Sequence, residues 1–224
     1  MNILMLSWRG PGHPHYGGAE INTWENVTAW KKAGHKVTWF TSAFIGGKEH
    51  ELIDNVQIIR RGSPNLGVHI AALKWYLFER HSKFDIVIDQ FHGIPFFTPL
   101  YVRVPILGFI HEVAHEVWWL NPWPIPFKYI PGLLGTVSEP IIFSLYRNTP
   151  FMTVSDSTKA DLTKFGIPSN HVHVFLSGVI LHPPHPIPKK EKQTTIIFLG
   201  ALSKDKGVED AIAAFSHINQ LRPK

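Results

Sequence analysis

Cysteine is absent from all 224 residues, so neither a disulfide nor a thiolate metal site can form, and metal binding would fall to His, Asp and Glu. No apolar run reaches the ~18 residues that a membrane-crossing helix requires, because Pro, Gly, His or a charged residue interrupts each one. The start, Met1 to Ser7, has no basic segment of the kind that opens a signal peptide, and it runs straight into strand-like sequence. The expectation is a cytoplasmic protein, soluble or touching the inner face of a membrane. Missing too are the G-x-G-x-x-G fingerprint of nicotinamide and flavin sites, any Asp-x-Asp triplet, internal repeats and low-complexity segments.

What is present is a chain with 44% hydrophobic residues, long enough for one full core and part of a second. Its formal charge of +5 and isoelectric point near 9.4 favour an anionic partner: a phosphorylated small molecule, an acidic membrane surface or nucleic acid. Short apolar runs recur at Ile3 to Trp8, Lys36 to Ser42, Val56 to Arg60, Asp85 to Asp89, Pro105 to Ile110, Phe151 to Ser155 and Val172 to Leu176. Each reads as a buried strand. Between them lie helical spacings, at Ile21, Trp24, Val27 and Trp30 and again at Ile70, Leu73, Leu77 and Phe78. Alternating strands and helices predict an α/β fold, a Rossmann-like, doubly wound parallel sheet. Gly34 and Gly166 sit where left-handed helix caps belong.

From Val179 to Gln193 the composition shifts to Pro, His and Lys, a semi-rigid linker. Beyond it, Thr195 to Leu199 reads as a new strand, followed by a helical pattern at Val208, Ala211, Ile212 and Phe215. The expected organisation is a first domain over 1–178, a linker over 179–193, and over 194–224 the incomplete start of a second Rossmann-like domain. One strand and one helix cannot bury a core of their own, so the given sequence is expected to be part of a longer protein.

In parallel sheets, ligands bind beyond the carboxyl ends of strands. After the first strand, Gly17-Gly18 precedes a helix starting near Ala19-Glu20; the glycines and helix N-terminus suit a phosphate, or simply a tight turn. After the run 105–110 comes His111-Glu112-Val113-Ala114-His115, literally H-E-x-x-H, the zinc-hydrolase signature, with Glu139 as a distant third ligand. That motif works only on a helix, whereas a strand should put His111 at its tip, placed to hydrogen-bond a substrate hydroxyl or a backbone carbonyl. Ser155 and Asp156 are first a helix N-cap and second a ligand contact. Lys206 and Gly207, before the last helix, offer an ammonium beside free amides, a diphosphate site or a solvated lysine.

Taken in order, Gly17-Gly18-Ala19-Glu20, Ala33-Gly34-His35-Lys36-Val37, Ile110-His111-Glu112, Val154-Ser155-Asp156-Ser157-Thr158-Lys159 and Phe198-Leu199-Gly200 through Lys206-Gly207 resemble the family-4 glycosyltransferases over essentially the whole chain. The resemblance implies a two-Rossmann GT-B enzyme that transfers a sugar from a nucleotide-sugar donor with retention of configuration. It implies a glycan, lipid-linked or small-molecule acceptor, no cofactor or metal, and no nucleic acid partner. Gly17, Gly18, Lys206 and Gly207 would lie at the donor phosphates, His111 at the transferred sugar, and Glu20, Glu112, Ser155 and Asp156 along the cleft. Ala201 stands where the family often has Arg, and the family's paired glutamates would lie past Lys224. A non-catalytic sugar- or lipid-binding module on the same fold is the rival reading. Finally, the aromatic and proline-rich Trp118 to Tyr129 is expected beside the acceptor cleft, facing an apolar acceptor or anionic membrane, or else packed as core.

Overall fold

The structure is a computed structural model that describes residues 1–115, 117–120, 124–127, 129–178, 186, 189, 191–192, 195–200, 202 and 206–221. The chain divides into two compact units, Met1–His115 with Gly135–Gly178, and Glu116–Leu134 with Val179–Lys224. The expected linker at 179–193 lies mostly outside the described residues, as does Ala201.

The first unit is an eight-stranded sheet of β1 (Asn2–Leu6), β2 (Lys36–Thr41), β3 (His50–Ile53), β4 (Val56–Arg60), β5 (Ile86–Phe91), β6 (Ile106–Ile110), β7 (Phe151–Thr153) and β8 (Val172–Val174). Its order is β3-β4-β2-β1-β5-β6-β7-β8, and every pairing is parallel except β3 with β4. This is the Rossmann-like α/β fold that the alternation predicts. Side chains alternate across β1: Leu4 and Leu6 join one buried cluster with Phe40, Ile59 and Trp75, whereas Ile3 and Met5 join another with Val27, Trp39, Ile58 and Phe109. A sheet covered on both faces reads as continuous apolar runs, which is why these strands are legible. The antiparallel β3 is not legible, since its pattern of exposed and half-buried residues carries little apolar signal.

Helix α1 (Gly18–Lys32) starts where Glu20 Oε2 accepts the Gly17 backbone N–H at 2.8 Å, and Gly34 at φ +86° ends it. Helix α2 (Leu66–Phe78) forms where the second helical spacing lies, with Val68, His69, Ala72 and Trp75 buried and Ile70, Leu77 and Phe78 exposed. Nearly every position of that helix is apolar, so spacing alone could not choose its inner side. Helix α3 (Tyr129–Leu145) goes unread in the sequence because Pro131 and Pro140 interrupt it; Pro131 is accommodated in the first turn, where N–H groups lack helical partners anyway. Its Ile142 and Phe143, with Tyr146 just beyond it, pack with Phe91, Phe151 and Leu162 of α4 (Asp156–Lys164), which Gly166 at φ +88° terminates.

In the second unit, α5 (Val208–Leu221) forms as its spacing predicts, but residues 195–199 do not make the expected strand. A strand holds through the ladder to its neighbour, and no described strand pairs with this one. Ile197 and Leu199 are accordingly exposed, and Ile196 to Phe198 line a cavity of about 270 Å³ with Val208, Ala211, Ile212 and Phe215.

Candidate functional site

From β1 the chain winds outward through β2 on one side, and from β5 outward through β6 on the other, so the order reverses between β1 and β5. A crevice opens at such a point between the loops that leave the two strands, at their carboxyl ends. Those loops carry Trp8, Arg9, His13, Gly17 and Gly18 after β1, His92 after β5 and, one strand further, His111 after β6.

His111 is half-buried at the tip of β6 and its orientation follows from a chain of hydrogen bonds. Thr23 Oγ1 donates its single proton to Ala19 O at 2.8 Å, so toward Gln90 it can only accept. Gln90 therefore turns its amide nitrogen inward, donating to Thr23 Oγ1 at 2.8 Å and reaching His111 Nε2 at 3.2 Å. Nε2 then accepts, and the proton of neutral His111 sits on Nδ1. Burial lowers the pKa of the imidazole, with the Glu20 carboxylate opposing, so the neutral form is favoured below the ordinary value of 6.5. Thr158 Oγ1 donates to His111 O at 2.9 Å and ties the strand tip to α4. Gln90→Leu is expected to release the tautomer: the imidazole ¹⁵N spectrum should change from protonated Nδ1 to a mixture containing protonated Nε2. An unaltered spectrum would remove Gln90 from the arrangement.

Around His111 lies a set of residues that the sequence reading misses. The Arg9 guanidinium stacks over the Trp8 ring at 4.0 Å and donates to His15 O at 2.7 Å. His92 also stacks on that indole, centroids 4.1 Å apart and planes at 26°. Burial pushes His92 down to about 4, with Arg9 and His111 adding to the effect and Glu20 opposing it; His13 is lowered by burial, then by Arg9 and His15. The crevice is thus lined by neutral imidazoles, one arginine and one buried carboxylate, groups that hydrogen-bond hydroxyls and attract an anion. Trp8, Arg9 and His92 all stand within three residues of a strand's carboxyl end, and that position was the available signal.

The structure brings Gly17, Gly18, Glu20 and His111 to this crevice. An added Cβ at Gly18 would meet nothing within 4 Å, so nothing in the fold demands glycine there, and a ligand can approach the backbone closely. Glu20 is 4% exposed and its carboxylate closes the α1 cap. Glu112 and Asp156 are exposed. Ser155 caps α4, its Oγ accepting the Thr158 N–H at 3.2 Å. Ser155→Ala is expected to cost about 0.5–2 kcal/mol of stability, measured by urea unfolding; lost activity at unchanged stability would instead make Ser155 a ligand contact. Lys206 and Gly207 belong to the second unit, where Gly207 at φ +70° precedes α5 and acidic Glu209 and Asp210 occupy its first turn.

The H-E-x-x-H reading fails on geometry. Residues 111–115 are not helical, so His111 and His115 do not share a helical face. His115 Nδ1 lies 3.7 Å from Glu139 Oε2, an ion-pair distance, and among the described residues no group of three His, Asp or Glu side chains converges to hold a metal.

Comparison with known proteins follows the same line. The profile of Glycosyltransferase Family 4 matches residues 16–182, three quarters of the chain, and the chain belongs to that family. Its fold is shared with the solved sucrose-phosphate synthase from Thermosynechococcus elongatus, at TM-score 0.55 and 15% identity over 80% of this chain and 48% of that one. HepE of Anabaena, solved in complex with UDP-glucose, matches at TM-score 0.50 and 14% identity over 80% of this chain and 44% of that one. The chain spans about half the length of these structures. Comparison with curated proteins gives no match.

Proposed function

We propose that the protein is a retaining glycosyltransferase that moves a sugar from a nucleotide-sugar donor to a hydroxyl of a glycan or lipid-linked acceptor. The observation that carries this reading is His111, tautomerically held at the mouth of the β1/β5 crevice beside the Gly17-Gly18 turn, in a family-4 chain. In the reaction the bond from the anomeric carbon to the phosphate oxygen breaks, a bond to the acceptor oxygen forms, and the hydroxyl proton leaves with the nucleoside diphosphate. Retention requires the acceptor to arrive on the face that the diphosphate leaves, or two successive inversions.

In this reading residues 1–178 carry the acceptor side and residues 194–224 open the donor domain across the linker 179–193. His111 Nδ1–H donates to the transferred sugar, Gly17 and Gly18 let backbone approach the phosphates, and Lys206 with Gly207 meets the charge that develops on the leaving diphosphate. Glu20 holds the turn, and Glu112, Ser155 and Asp156 border the cleft. A lysine and helix N-termini supply the positive charge, so no divalent cation or cofactor is required. HepE is described as a complex with UDP-glucose, which supports a uridine donor as the first to try. The test is donor hydrolysis and transfer by the complete gene product with a panel of nucleotide sugars, with and without chelator. Turnover that survives chelation supports the proposal. Binding without either reaction favours the non-catalytic module, and turnover lost on chelation removes the metal-free mechanism.

A further inference from the structure

Helix α3 is apolar on its outer face as well as its inner one. Its inward positions hold Gly132, Gly135, Glu139, Ile142 and Phe143, while Ile130, Leu133, Leu134, Val137, Ile141 and Leu145 face outward, 39–63% exposed. These six recur at the three- and four-residue steps that place side chains on one helical face, a stripe about 25 Å long. Among the described residues, this is a continuous aliphatic face where a surface helix ordinarily presents charge. Just before it in the sequence, Trp119 is 46% and Phe127 56% exposed, and Trp119 packs on α3 so closely that a Cβ at Gly132 would strike its ring. Trp123 lies outside the described residues.

We propose that this face of α3 docks the protein on an anionic lipid surface. Three observations favour lipid over a protein partner. From Ile130 to Leu145 the outward face carries aliphatic side chains with no Arg, Tyr or Trp among them, and the exposed Tyr129 stands only at the helix start, whereas protein interfaces draw their anchors from those three and under-use Leu and Val. Aromatic side chains stand at one end of the stripe, where indole rings sit at headgroup depth. The sequence brackets the helix with Lys128 and Arg147, the acid within it, Glu139, is turned inward at 2% exposure, and the chain as a whole is basic. An apolar stripe in a basic chain is complementary to a bilayer with acidic headgroups. No helix among the described residues is long and apolar enough to cross a membrane, so α3 would lie in the interface plane. The inference is independent of sugar transfer, because vesicle binding is read without turnover.

The experiment is co-sedimentation of the complete gene product with vesicles of phosphatidylcholine alone and of phosphatidylcholine with about 30% phosphatidylglycerol. Wild type should pellet with the anionic vesicles, and the combined variant Leu133→Ser, Leu134→Ser, Val137→Ser, Ile141→Ser should bind at least about tenfold more weakly with an unchanged melting curve. Should that variant not fold, the single changes Leu134→Glu and Ile141→Glu carry the same expectation. Equal binding by folded variants and wild type overturns the proposal, as does absence of wild-type binding to both vesicle types. A stable dimer in solution that the serine variant dissolves would overturn it in favour of a second copy.

Discussion

Replacing His111 by alanine in the complete gene product is expected to lower turnover about 100- to 1,000-fold, the range for loss of one preorganised donor at a reacting centre. The unfolding midpoint should barely move. The imidazole is half-buried, its only side-chain hydrogen bond among the described residues is to Gln90, and the bond from Thr158 goes to the His111 backbone, which alanine keeps. The pH profile supplies a second reading. Burial, partly offset by Glu20, lowers the His111 pKa from 6.5, so the Nδ1–H tautomer that donates while Nε2 accepts from Gln90 persists into mildly acidic solution. The acid limb of kcat/KM should therefore fall below pH 6.5 and be missing from the residual activity of the alanine variant. Wild-type turnover in His111→Ala would sink the assignment. So would one tightly held zinc per chain whose removal abolishes activity, because that would return the H-E-x-x-H motif to its literal meaning.

The part of this site that the sequence discloses is the part written in single residues with special roles. Gly34 and Gly166 mark helix ends because a left-handed residue there is rarely anything else, and both have positive φ. His111 could be placed at a strand tip because Pro105 and Gly108 argue against the helix that its motif would otherwise need. Gln90 and Thr23 are different in kind: they stand 67 residues apart, and only the pairing of β5 with β6, with α1 against β5, lets one amide span Thr23 and His111. No spacing rule reports such a contact. The inward side of α2 escaped for a related reason. When apolar residues surround a helix, periodicity loses its phase, and the neighbouring strands decide that Trp75 goes in while Phe78 stays out. The second unit shows the converse: Thr195 to Leu199 has the composition of a strand, but composition supplies only the tendency, and the ladder needs a partner.

The largest stability effect is expected at Asp89, which the functional reading does not use. Its side chain is fully buried in β5, where Oδ1 accepts the Phe96 N–H at 2.9 Å and Oδ2 accepts the Thr98 hydroxyl at 2.7 Å, the Tyr146 hydroxyl at 2.5 Å and the Thr98 N–H at 3.3 Å. These bonds fasten the segment after His92 and the residue just beyond α3 to the middle of the sheet. Asp89→Ala removes the acceptor of the Phe96 N–H and of the Thr98 and Tyr146 hydroxyls, while the Thr98 N–H keeps the Tyr146 hydroxyl oxygen at 3.1 Å, and should cost about 3–5 kcal/mol. Asp89→Asn should cost less, about 1–2 kcal/mol, because the amide keeps one acceptor, both hydroxyls can turn to accept from its nitrogen, and the Thr98 N–H that faces that nitrogen still donates to the Tyr146 hydroxyl oxygen. The two variants also separate packing from charge. Burial raises the Asp89 pKa above its ordinary 3.8 despite the hydrogen bonds that favour the anion, so the folded state holds this proton more tightly than the unfolded chain does. Stability from the protonated carboxyl is then fully present below the unfolded value and is lost as pH rises through the folded one. Asn cannot titrate, so the deficit of Asp89→Asn relative to wild type should be greatest in acid and narrow as pH rises through that window. Urea unfolding of both proteins from pH 3 to pH 8 gives the difference directly. A deficit that instead grows with pH would show a carboxylate stabilised by its four donors beyond the cost of its burial, and a pKa displaced the other way.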